Sequence, residues 1–424
     1  MRPFDVALFK DGRPFSPGEG GTAVSVMDCP PPETLYGALR NAILTARGVN
    51  VASYMAGTLS GPDAEVLGNP KRRQLGTLTI KGPFWEEERS GSSQLLLPWP
   101  SDAIPVKMNG GQREFGYMLP AAASHSESDA SANWPVSWLH NLIPRVRLAS
   151  GHLGWPRGSA IQNDPGRMFL PVDAPDDVGG NLLRYLTLAP SLRSSVASRV
   201  VDVEPHSGIE KENGTGRVAD GALYTAEFIR PRAGEQGSVM SFRFDVTAGA
   251  DALPRQFVVG LGGERRPFSA SSVETPAIAT RVRDAVRQHL HQSQRGGKLY
   301  FRLLLLTPGL FTRNGWFPDG IDAATGGARF DGIDYQLISA TIARPLWLSG
   351  WDLVRKSPKP SRPHVAPGAV YFLSASGGTN LAEAVMDRFW MNSIQEGPLA
   401  PASDSPHPCA RMGMGIVLVG GLQL

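Results

Sequence analysis

The sequence predicts an α+β fold, and three observations support this prediction. The chain opens with a period-2 apolar pattern, a glycine-rich loop and a pattern at helical spacing. Its second half contains many short apolar or alternating segments and two helical patterns. Forty-eight glycines and 36 prolines indicate long loops between the regular elements. The order of the patterns is compatible with two copies of one topology.

The first predicted element is a mostly buried strand over residues 4–9, where apolar side chains alternate. It ends at a turn that carries Lys10 and Arg13. After the glycine-rich loop, residues 30–33 open a helix because proline suits the first helical turn, and Gly48 ends it. A strand, a long loop and a helix are the start of a ferredoxin-like unit. The helix carries one apolar stripe, formed by Leu35, Leu39, Ala42, Ile43 and Ala46.

The middle of the chain contains one predicted strand pair and a long insertion. Residues 75–84 and 94–99 form the pair, joined by an acidic, polar turn over 86–93. Residues 124–133 are small and polar and are interpreted as the tip of the insertion. Residues 151–180 are rich in Gly, Pro and Asp and are predicted to be irregular. The second half predicts helices over 275–294 and 381–391 and strands over 223–230, 239–246, 257–260, 299–307, 336–342, 369–373 and 416–419.

The composition indicates a globular, core-forming protein. Of the 424 residues, 41% are hydrophobic and 19% are charged, and the formal net charge is only +3. Nucleic-acid binding would therefore need local clusters of cations. Cys29 and Cys409 are far apart, which argues against a disulfide framework or a structural zinc site. Without a signal-peptide core or a run of about 18 apolar residues, the chain is predicted to be soluble and cytoplasmic, with no membrane partner.

Residues 349–364 form the most informative stretch of the chain. Their prolines exclude a regular helix, so the cations are expected on a stiff, extended loop suited to a phosphate backbone. Asp352 is the only acid. Trp351 could stack on a base, but a core position is the favoured interpretation. The alternative for the whole stretch is a solvated basic loop. Its candidate phosphate contacts are Arg355, Lys356, Lys359, Arg362 and His364.

Other candidates lie in a glycine-rich loop and in three further basic positions or pairs. Backbone N–H groups at Gly413 and Gly415 could approach phosphate beside Arg411, whereas a dinucleotide site would need a helix where a strand is predicted. A tight turn at a sheet edge is the alternative. Solvation or pairing with acids is the alternative for the remaining cations: Lys10 and Arg13 in the first turn, Arg40 on the first helix, and Arg265 and Arg266.

Metal sites are not predicted. His289 and His291 are two residues apart on a predicted helix and so do not share a face. No cluster of Cys, His and acidic residues has ligand spacing.

Several motifs resemble one family in a consistent order from end to end. Asp5-Val-Ala-Leu-Phe-Lys-Asp-Gly-Arg-Pro-Phe15 and Pro30-Pro-Pro-Glu-Thr-Leu-Tyr-Gly-Ala-Leu-Arg40 resemble the N-terminal signature of the CRISPR RAMP-superfamily proteins that form subunit three of the type III-B (Cmr) effector complex. Residues 139–180 and Pro205-His206 depart from the family pattern. The other matching segments are 208–211, 221–227, 261–265, 315–318, 349–353, 358–360, 367–372 and 413–415.

The resemblance implies two ferredoxin-like (RRM-like) domains with a long inserted thumb region. The N-terminal domain would cover residues 1–200, with the insertion around 105–180, and the C-terminal domain would cover 201–424 with the glycine-rich loop. It also implies a non-catalytic, cofactor-free RNA-binding subunit in antiviral defence. Such a subunit clamps the 5′ tag of the CRISPR RNA (crRNA). It docks the large polymerase-like CRISPR subunit and contacts the backbone RAMP subunit that cuts target RNA, so that it meets target RNA indirectly.

Two alternatives to this function remain. One is a metal-independent RNA endonuclease that processes CRISPR repeat RNA, with His364 or His206 as general base on a 2′-hydroxyl. The other is a purely structural adaptor whose basic loop faces a protein. In the leading hypothesis, the tag lies between the two domains, and the insertion containing 124–133 displaces one nucleotide from pairing with the target.

Overall fold

The computed structural model describes residues 1–12, 26–89, 92–107, 113–120, 142–147, 153–154, 160–161, 169–172, 180–188, 200–211, 218–232, 238–395 and 408–422. Helices and mostly antiparallel sheets combine in these residues, in agreement with the α+β prediction. Among the helices of the described ranges, none is both long and apolar enough to cross a membrane.

The helices are α1 (Pro32–Ala46), α2 (Val51–Ala56), α3 (Pro62–Leu67), α4 (Asn181–Leu186), α5 (Thr280–Ser293), α6 (Leu381–Phe389) and α7 (Pro408–Arg411). The strands are β1 (Arg2–Pro3), β2 (Gly68–Asn69), β3 (Gln74–Leu75), β4 (Thr79–Arg89), β5 (Ser92–Pro98), β6 (Ala103–Lys107), β7 (Arg113–Pro120), β8 (Leu142–Arg147), β9 (Leu153–Gly154), β10 (Ala160–Ile161), β11 (Phe169–Val172), β12 (Val201–Lys211), β13 (Val218–Pro231), β14 (Val239–Ala248), β15 (Gln256–Leu261), β16 (Arg266–Ser271), β17 (Lys298–Leu305), β18 (Gly327–Phe330), β19 (Ile333–Thr341), β20 (Leu346–Leu348), β21 (Trp351–Asp352), β22 (Ser357–Pro358), β23 (Arg362–His364), β24 (Val370–Ser376) and β25 (Val417–Gly421).

The chain forms two compact units, and each is assembled from separate segments. Unit 1 comprises Met1–Gly91, Arg199–Glu274 and Leu346–Pro363. Unit 2 comprises Ser92–Ser198, Thr275–Pro345 and His364–Leu424. The predicted two-domain division at residue 200 stays a prediction; one of the places where the chain passes between units, at 198/199, falls beside it.

Helix α1 of unit 1 begins and ends where its sequence predicts. Proline occupies its first turn, Glu33 complements the positive end of the helix dipole, and Gly48 follows the helix with a φ of +61°. The apolar stripe is buried as far as Ile43, whereas Ala46 is exposed. The helix lies against β15 and β4.

Aromatic side chains form the centre of unit 1. Strand β4 pairs with β14, which places Trp85 opposite Phe242 with ring centroids 4.1 Å apart. Phe242 also lies 5.9 Å from Phe9 and 6.1 Å from Phe268 between ring centroids. Phe268 belongs to the sheet β1-β16-β15. One core therefore contains residues from the N-terminal segment, the β4–β14 pair, the β1-β16-β15 sheet and helix α1.

In unit 2, the main sheet is antiparallel in the order β18-β19-β24-β17-β25. Helices α5 and α6 lie against β17 and β25. Phe389 of α6 packs on Phe301 of β17, with centroids 5.8 Å apart, and on Tyr335 of β19, with centroids 5.7 Å apart. A second sheet, in the order β10-β6-β7-β8-β9, is formed by strands from the predicted insertion.

A buried ion pair lies inside unit 2. Arg302 Nη1 of β17 donates to Asp102 Oδ2 at 2.5 Å, and the Tyr185 hydroxyl of α4 donates to Asp102 Oδ1 at 2.7 Å. Arg302 also donates to the Tyr185 carbonyl, and its guanidinium lies over the rings of Tyr185 and Tyr117. Burial raises the pKa of the Asp102 carboxyl, and the charge of Arg302 opposes that rise.

Three local predictions differ from the structure. The predicted strand over 4–9 is irregular: only Arg2–Pro3 is a strand, isolated bridges follow, and Phe4 is exposed. Part of 151–180 is regular, because β9, β10 and β11 find antiparallel partners. The acidic segment over 86–93 extends strand β4 to Arg89, since Glu86 accepts a hydrogen bond from Arg243 of β14 and Glu87 accepts one from Ser238, the residue before β14. The predicted tip at 124–133 lies outside the described residues.

Candidate nucleic-acid interface

Residues 349–359 form a β-hairpin, which corrects the prediction of an extended loop. Trp351 pairs with Pro358 and Asp352 with Ser357 across β21 and β22. At the open end of the hairpin, the backbone N–H of Lys359 donates to the Gly350 carbonyl at 2.8 Å. The basic segment is therefore a defined, folded element of unit 1.

The single acid of the segment holds the hairpin tip together. Asp352 Oδ1 accepts the backbone N–H of Val354 at 3.0 Å and that of Arg355 at 2.9 Å. These hydrogen bonds, the one from Arg355 above all, lower the pKa of the Asp352 carboxyl. Lys356 completes the turn with a left-handed φ of +53°. Because Asp352 bonds the tip backbone, one of its oxygens is already engaged.

The predicted basic residues of this segment divide into three groups. Arg355, Lys356 and Arg362 are exposed, and Arg355 and Lys356 form no salt bridge within the described part of the chain. Lys359 forms a salt bridge with Glu33 in the first turn of α1, so its charge is largely matched. His364 is only 5% exposed in unit 2, which corrects its placement among displayed cations.

The prediction of a core position for Trp351 is wrong. Its side chain is 56% exposed, and Leu353 and Val354 at the tip are exposed as well. Successive strand residues point to opposite faces, so Trp351 and Pro358 share one face of the hairpin and Asp352 lies on the other. The short hairpin thus presents an indole beside two tip cations.

A second basic turn, missed in the sequence, contacts this hairpin. Lys71, Arg72 and Arg73 are exposed between β2 and β3, and Arg73 Nη2 lies 3.9 Å from Asp352 Oδ2. Asn69 fixes the turn, since its Oδ1 accepts the Arg72 N–H at 3.1 Å. The signal was present, because this is the one run of three consecutive Lys or Arg residues in the chain.

The N-terminal turn lies against the same hairpin. The Gly12 N–H donates to the Trp347 carbonyl at 2.7 Å, and a Cβ at Gly12 would come within 2.5 Å of Ser361 Oγ. Lys10, two residues earlier, is exposed. Arg13 lies outside the described residues. The close approach of Gly12 brings the first predicted turn and the hairpin together.

The Gly262–Arg265 turn packs on the preceding residues of the N-terminal segment. The Gly263 N–H donates to the Leu8 carbonyl at 2.8 Å. Leu8 contacts this turn, and Gly12 contacts Trp347. Because Leu8 and Gly12 are four residues apart, these two contacts lie within about 14 Å of each other. Arg265 is exposed with a φ of +51°, whereas Arg266 pairs with Glu264 at 2.7 Å and lies over the Phe228 ring. Arg265 is thus the displayed cation of this pair.

Arg40 is not displayed as predicted. Its guanidinium lies 5.8 Å from the Tyr36 ring centroid and 5.2 Å from that of Tyr54, and burial lowers its pKa. Helix α1 uses this residue in half-buried packing.

The glycine-rich loop in unit 2 is buried. The Gly413 N–H donates to the Ala410 carbonyl and the Gly415 N–H to the Pro308 carbonyl, each at 2.9 Å. Gly415 has a φ of +72°, and a Cβ there would lie 2.9 Å from Gln395 Cγ. Packing and backbone conformation therefore account for the glycines, and neither N–H group is available to a phosphate in this conformation. Arg411 beside the loop is half-buried.

Within the described ranges, no group of three or more His, Cys, Asp or Glu side chains is placed to hold a metal ion. The chemistry that the unit 1 surface supports is binding of an anionic polymer. Its exposed cations lie at the hairpin tip and on the turn between β2 and β3. Two more are Lys10 in the N-terminal segment and Arg265 in the turn that packs against Leu8.

The chain matches the family model for CRISPR-associated protein (Cas_Cmr3) over residues 1–147 and 169–420. Residues 148–168, outside the match, fall within the 139–180 region that departs from the family motifs. None of the curated proteins matches the chain.

Two solved structures are similar at low identity. The cryo-EM structure of the Type III-B Cmr-beta bound to cognate target RNA and AMPPnP, state 1, contains a chain with 14% identity and a TM-score of 0.40, with 88% of this chain and 84% of that chain covered. A chain in the structure of Type III-B Cmr-beta bound to cognate target RNA has 15% identity and a TM-score of 0.40, with 88% and 85% covered. The sequence identities and TM-scores of these two chains are too low to support a family assignment. The assignment depends on the family match instead. That match confirms the identification made from the sequence motifs. The protein therefore belongs to the Cas_Cmr3 family of CRISPR-associated proteins, the family of the type III-B effector subunit that its sequence resembles.

Proposed function

We propose that this effector subunit binds the single-stranded 5′ tag of the crRNA through unit 1 and catalyses no reaction on it. The observation that carries the proposal is the contact between two basic turns. Together they expose five cations around one acid: Lys71, Arg72, Arg73, Arg355 and Lys356 around Asp352.

The local charge favours a phosphate backbone as the ligand. Five cations and one carboxylate leave a formal local charge of about +4, compared with +3 for the whole chain. Neutralised phosphates release counterions, so such a surface binds RNA in a salt-dependent way. Lys359 and Arg266 already pair with acids and contribute less. Lys10 and Arg265 extend the surface along the N-terminal segment.

The roles of the rest of the molecule are also proposals, supported by family membership. The subunit docks the large polymerase-like subunit and contacts the backbone RAMP subunit, so that it meets target RNA indirectly. A ferredoxin-like core in unit 2 is also part of the proposal, and its support is the antiparallel order β19-β24-β17-β25, which corresponds to strands 2-3-1-4 of that topology. A described, non-helical segment over 306–326 stands where that topology has its first helix.

The placement of the two candidate histidines does not favour a nuclease. His364 is buried in unit 2. His206 is exposed in unit 1, where its Nε2 lies 3.6 Å from Glu204 Oε2. Arg230 pairs with Glu204 and lowers the pKa of the Glu204 carboxyl. Glu204 is therefore a poor proton donor near neutral pH.

The test is binding of labelled 5′-tag RNA by the full chain at two salt concentrations, with and without EDTA. We expect salt-sensitive binding, intact RNA, and a weaker affinity for Arg355→Ala/Lys356→Ala. The matched control is Arg295→Ala/Lys298→Ala, which removes two exposed cations from a tight turn in unit 2. RNA cleavage that survives EDTA would favour the endonuclease. Absence of both binding and cleavage would favour the structural adaptor.

A further inference from the structure

The hairpin tip combines an exposed aromatic face with displayed charge. Trp351 is 56% exposed, although burial of an indole ordinarily stabilises a fold. Its cross-strand partner Pro358 is exposed on the same face. Arg355 and Lys356 follow in the turn that joins the two strands. An indole on a rigid support with cations beside it is the arrangement by which proteins hold unpaired bases.

The hairpin is preorganised for such a contact. Asp352 fixes the tip through two backbone hydrogen bonds, and the Ser349 hydroxyl donates to the Lys359 carbonyl at 2.7 Å at the base. The Lys359–Glu33 salt bridge attaches this base to helix α1. Little ordering of the chain is therefore needed when a planar ligand binds.

We propose that Trp351 is a base-stacking subsite for one unpaired nucleobase of single-stranded RNA, with Arg355 and Lys356 neutralising the adjoining phosphates. This inference rests on the proposed RNA-binding function and assigns the base contact within it. Because every base has a π-face, the subsite accepts any of the four bases. A protein ligand is less favoured, since the exposed apolar residues Leu353 and Val354 lie in a tip that displays positive charge.

The test compares dissociation constants of the full chain for labelled 5′-tag RNA at several salt concentrations. We expect Trp351→Ala to weaken binding by about 5-fold to 150-fold, which corresponds to roughly 1–3 kcal/mol per stacked base. The slope of log affinity against log salt should not change, because no phosphate contact is removed. Trp351→Phe should retain most of the affinity, whereas Trp351→Leu should lose as much as Trp351→Ala.

Leu353→Ala is the matched control, because Leu353 is 63% exposed on the same tip and has no ring. A second readout places 2-aminopurine at each tag position in turn. We expect one position to be quenched by the wild-type chain and released by Trp351→Leu.

The outcomes separate this inference from the function on which it rests. If the wild-type chain binds no RNA, both the function and the subsite are wrong. Salt-sensitive wild-type binding that Trp351→Ala leaves unchanged would overturn the subsite alone. Equal losses in Trp351→Ala and Leu353→Ala would also overturn it, because they would show that RNA binding does not depend on the indole ring.

Discussion

At the scale of single residues, Asp352 has two separable effects on the basic hairpin. Its Oδ1 holds the backbone of the tip, while its charge opposes RNA binding. Asp352→Asn retains an acceptor oxygen and removes the charge, so we expect an intact hairpin and tighter binding of tag RNA. Asp352→Ala removes the acceptor as well, so we expect faster trypsin cleavage after Arg355 and Lys356. Limited proteolysis and RNA titration of both variants measure the two effects.

The same carboxylate gives the hairpin a pH dependence of known sign. The folded-state pKa of Asp352 is lowered from 3.8, so the stabilisation is complete above that value and is lost as pH falls through the lowered pKa. Hydrogen exchange of the Val354 and Arg355 amides, corrected for intrinsic rates, should show protection at neutral pH that disappears in acid. Asp352→Asn is the control, because its tip should not respond to acid. Equal acid sensitivity in both proteins would contradict this assignment.

Asp102 is the residue on which the buried polar cluster of unit 2 depends. Asp102→Ala leaves the Arg302 guanidinium buried without its carboxylate, so we expect a loss of roughly 3–5 kcal/mol in the free energy of unfolding. Tyr185→Phe removes only the hydroxyl that donates to Asp102 and should cost about 1–3 kcal/mol. Urea denaturation of both variants provides the comparison. A smaller loss for Asp102→Ala than for Tyr185→Phe would be inconsistent with a buried ion pair.

At the scale of elements, the turn between β2 and β3 forms the second part of the proposed RNA-binding surface, beside the hairpin tip. Lys71→Ala/Arg72→Ala removes two exposed cations but keeps Arg73 near Asp352. If each contacts one phosphate, the salt slope for single-stranded RNA should fall in magnitude by about 1.4. Affinity should weaken similarly for every tag sequence. The measurement is RNA affinity at a series of salt concentrations.

The control for that slope is Arg295→Ala/Lys298→Ala, which removes the same charge from a turn of unit 2. An equal change of slope in both double variants would mean that only the total charge of the molecule matters. The β2–β3 turn would then lose its assignment as an RNA contact.

Helix α1 shows which elements the sequence could predict. Proline, an acidic first turn, an apolar stripe and a terminal glycine all act locally, and together they predict its position closely. The core position predicted for Trp351 is wrong because a large apolar residue is usually buried, whereas Trp351 lies on the short β21–β22 hairpin and is 56% exposed. The predicted phosphate contact at Gly413 and Gly415 also differs from the structure, because both glycines are buried and their N–H groups bond carbonyls of the chain. A glycine pair predicts close approach, but the sequence does not reveal whether a phosphate or the protein's own chain approaches.

At the scale of the whole molecule, each unit requires residues from both halves of the chain. In unit 1, strand β4 pairs with β14, and β1 pairs with β16. In unit 2, Arg302 of β17 requires the carboxylate of Asp102. These contacts join residues more than 150 positions apart, so sequence patterns, which are local, did not reveal the segmented units.

This organisation leads to a test of the predicted domain division at residue 200. Expressed alone, 1–200 lacks β14 and β16, and 201–424 lacks α1, β4 and Asp102, so we expect neither to unfold cooperatively. Co-expressed, the two halves should co-purify and recover a cooperative thermal transition, because every lost strand pairing can re-form between the fragments. Circular dichroism melts of the three samples measure this. A cooperative transition in either isolated half would instead support a domain boundary near residue 200, and the segmented units would then not be the folding units of the chain.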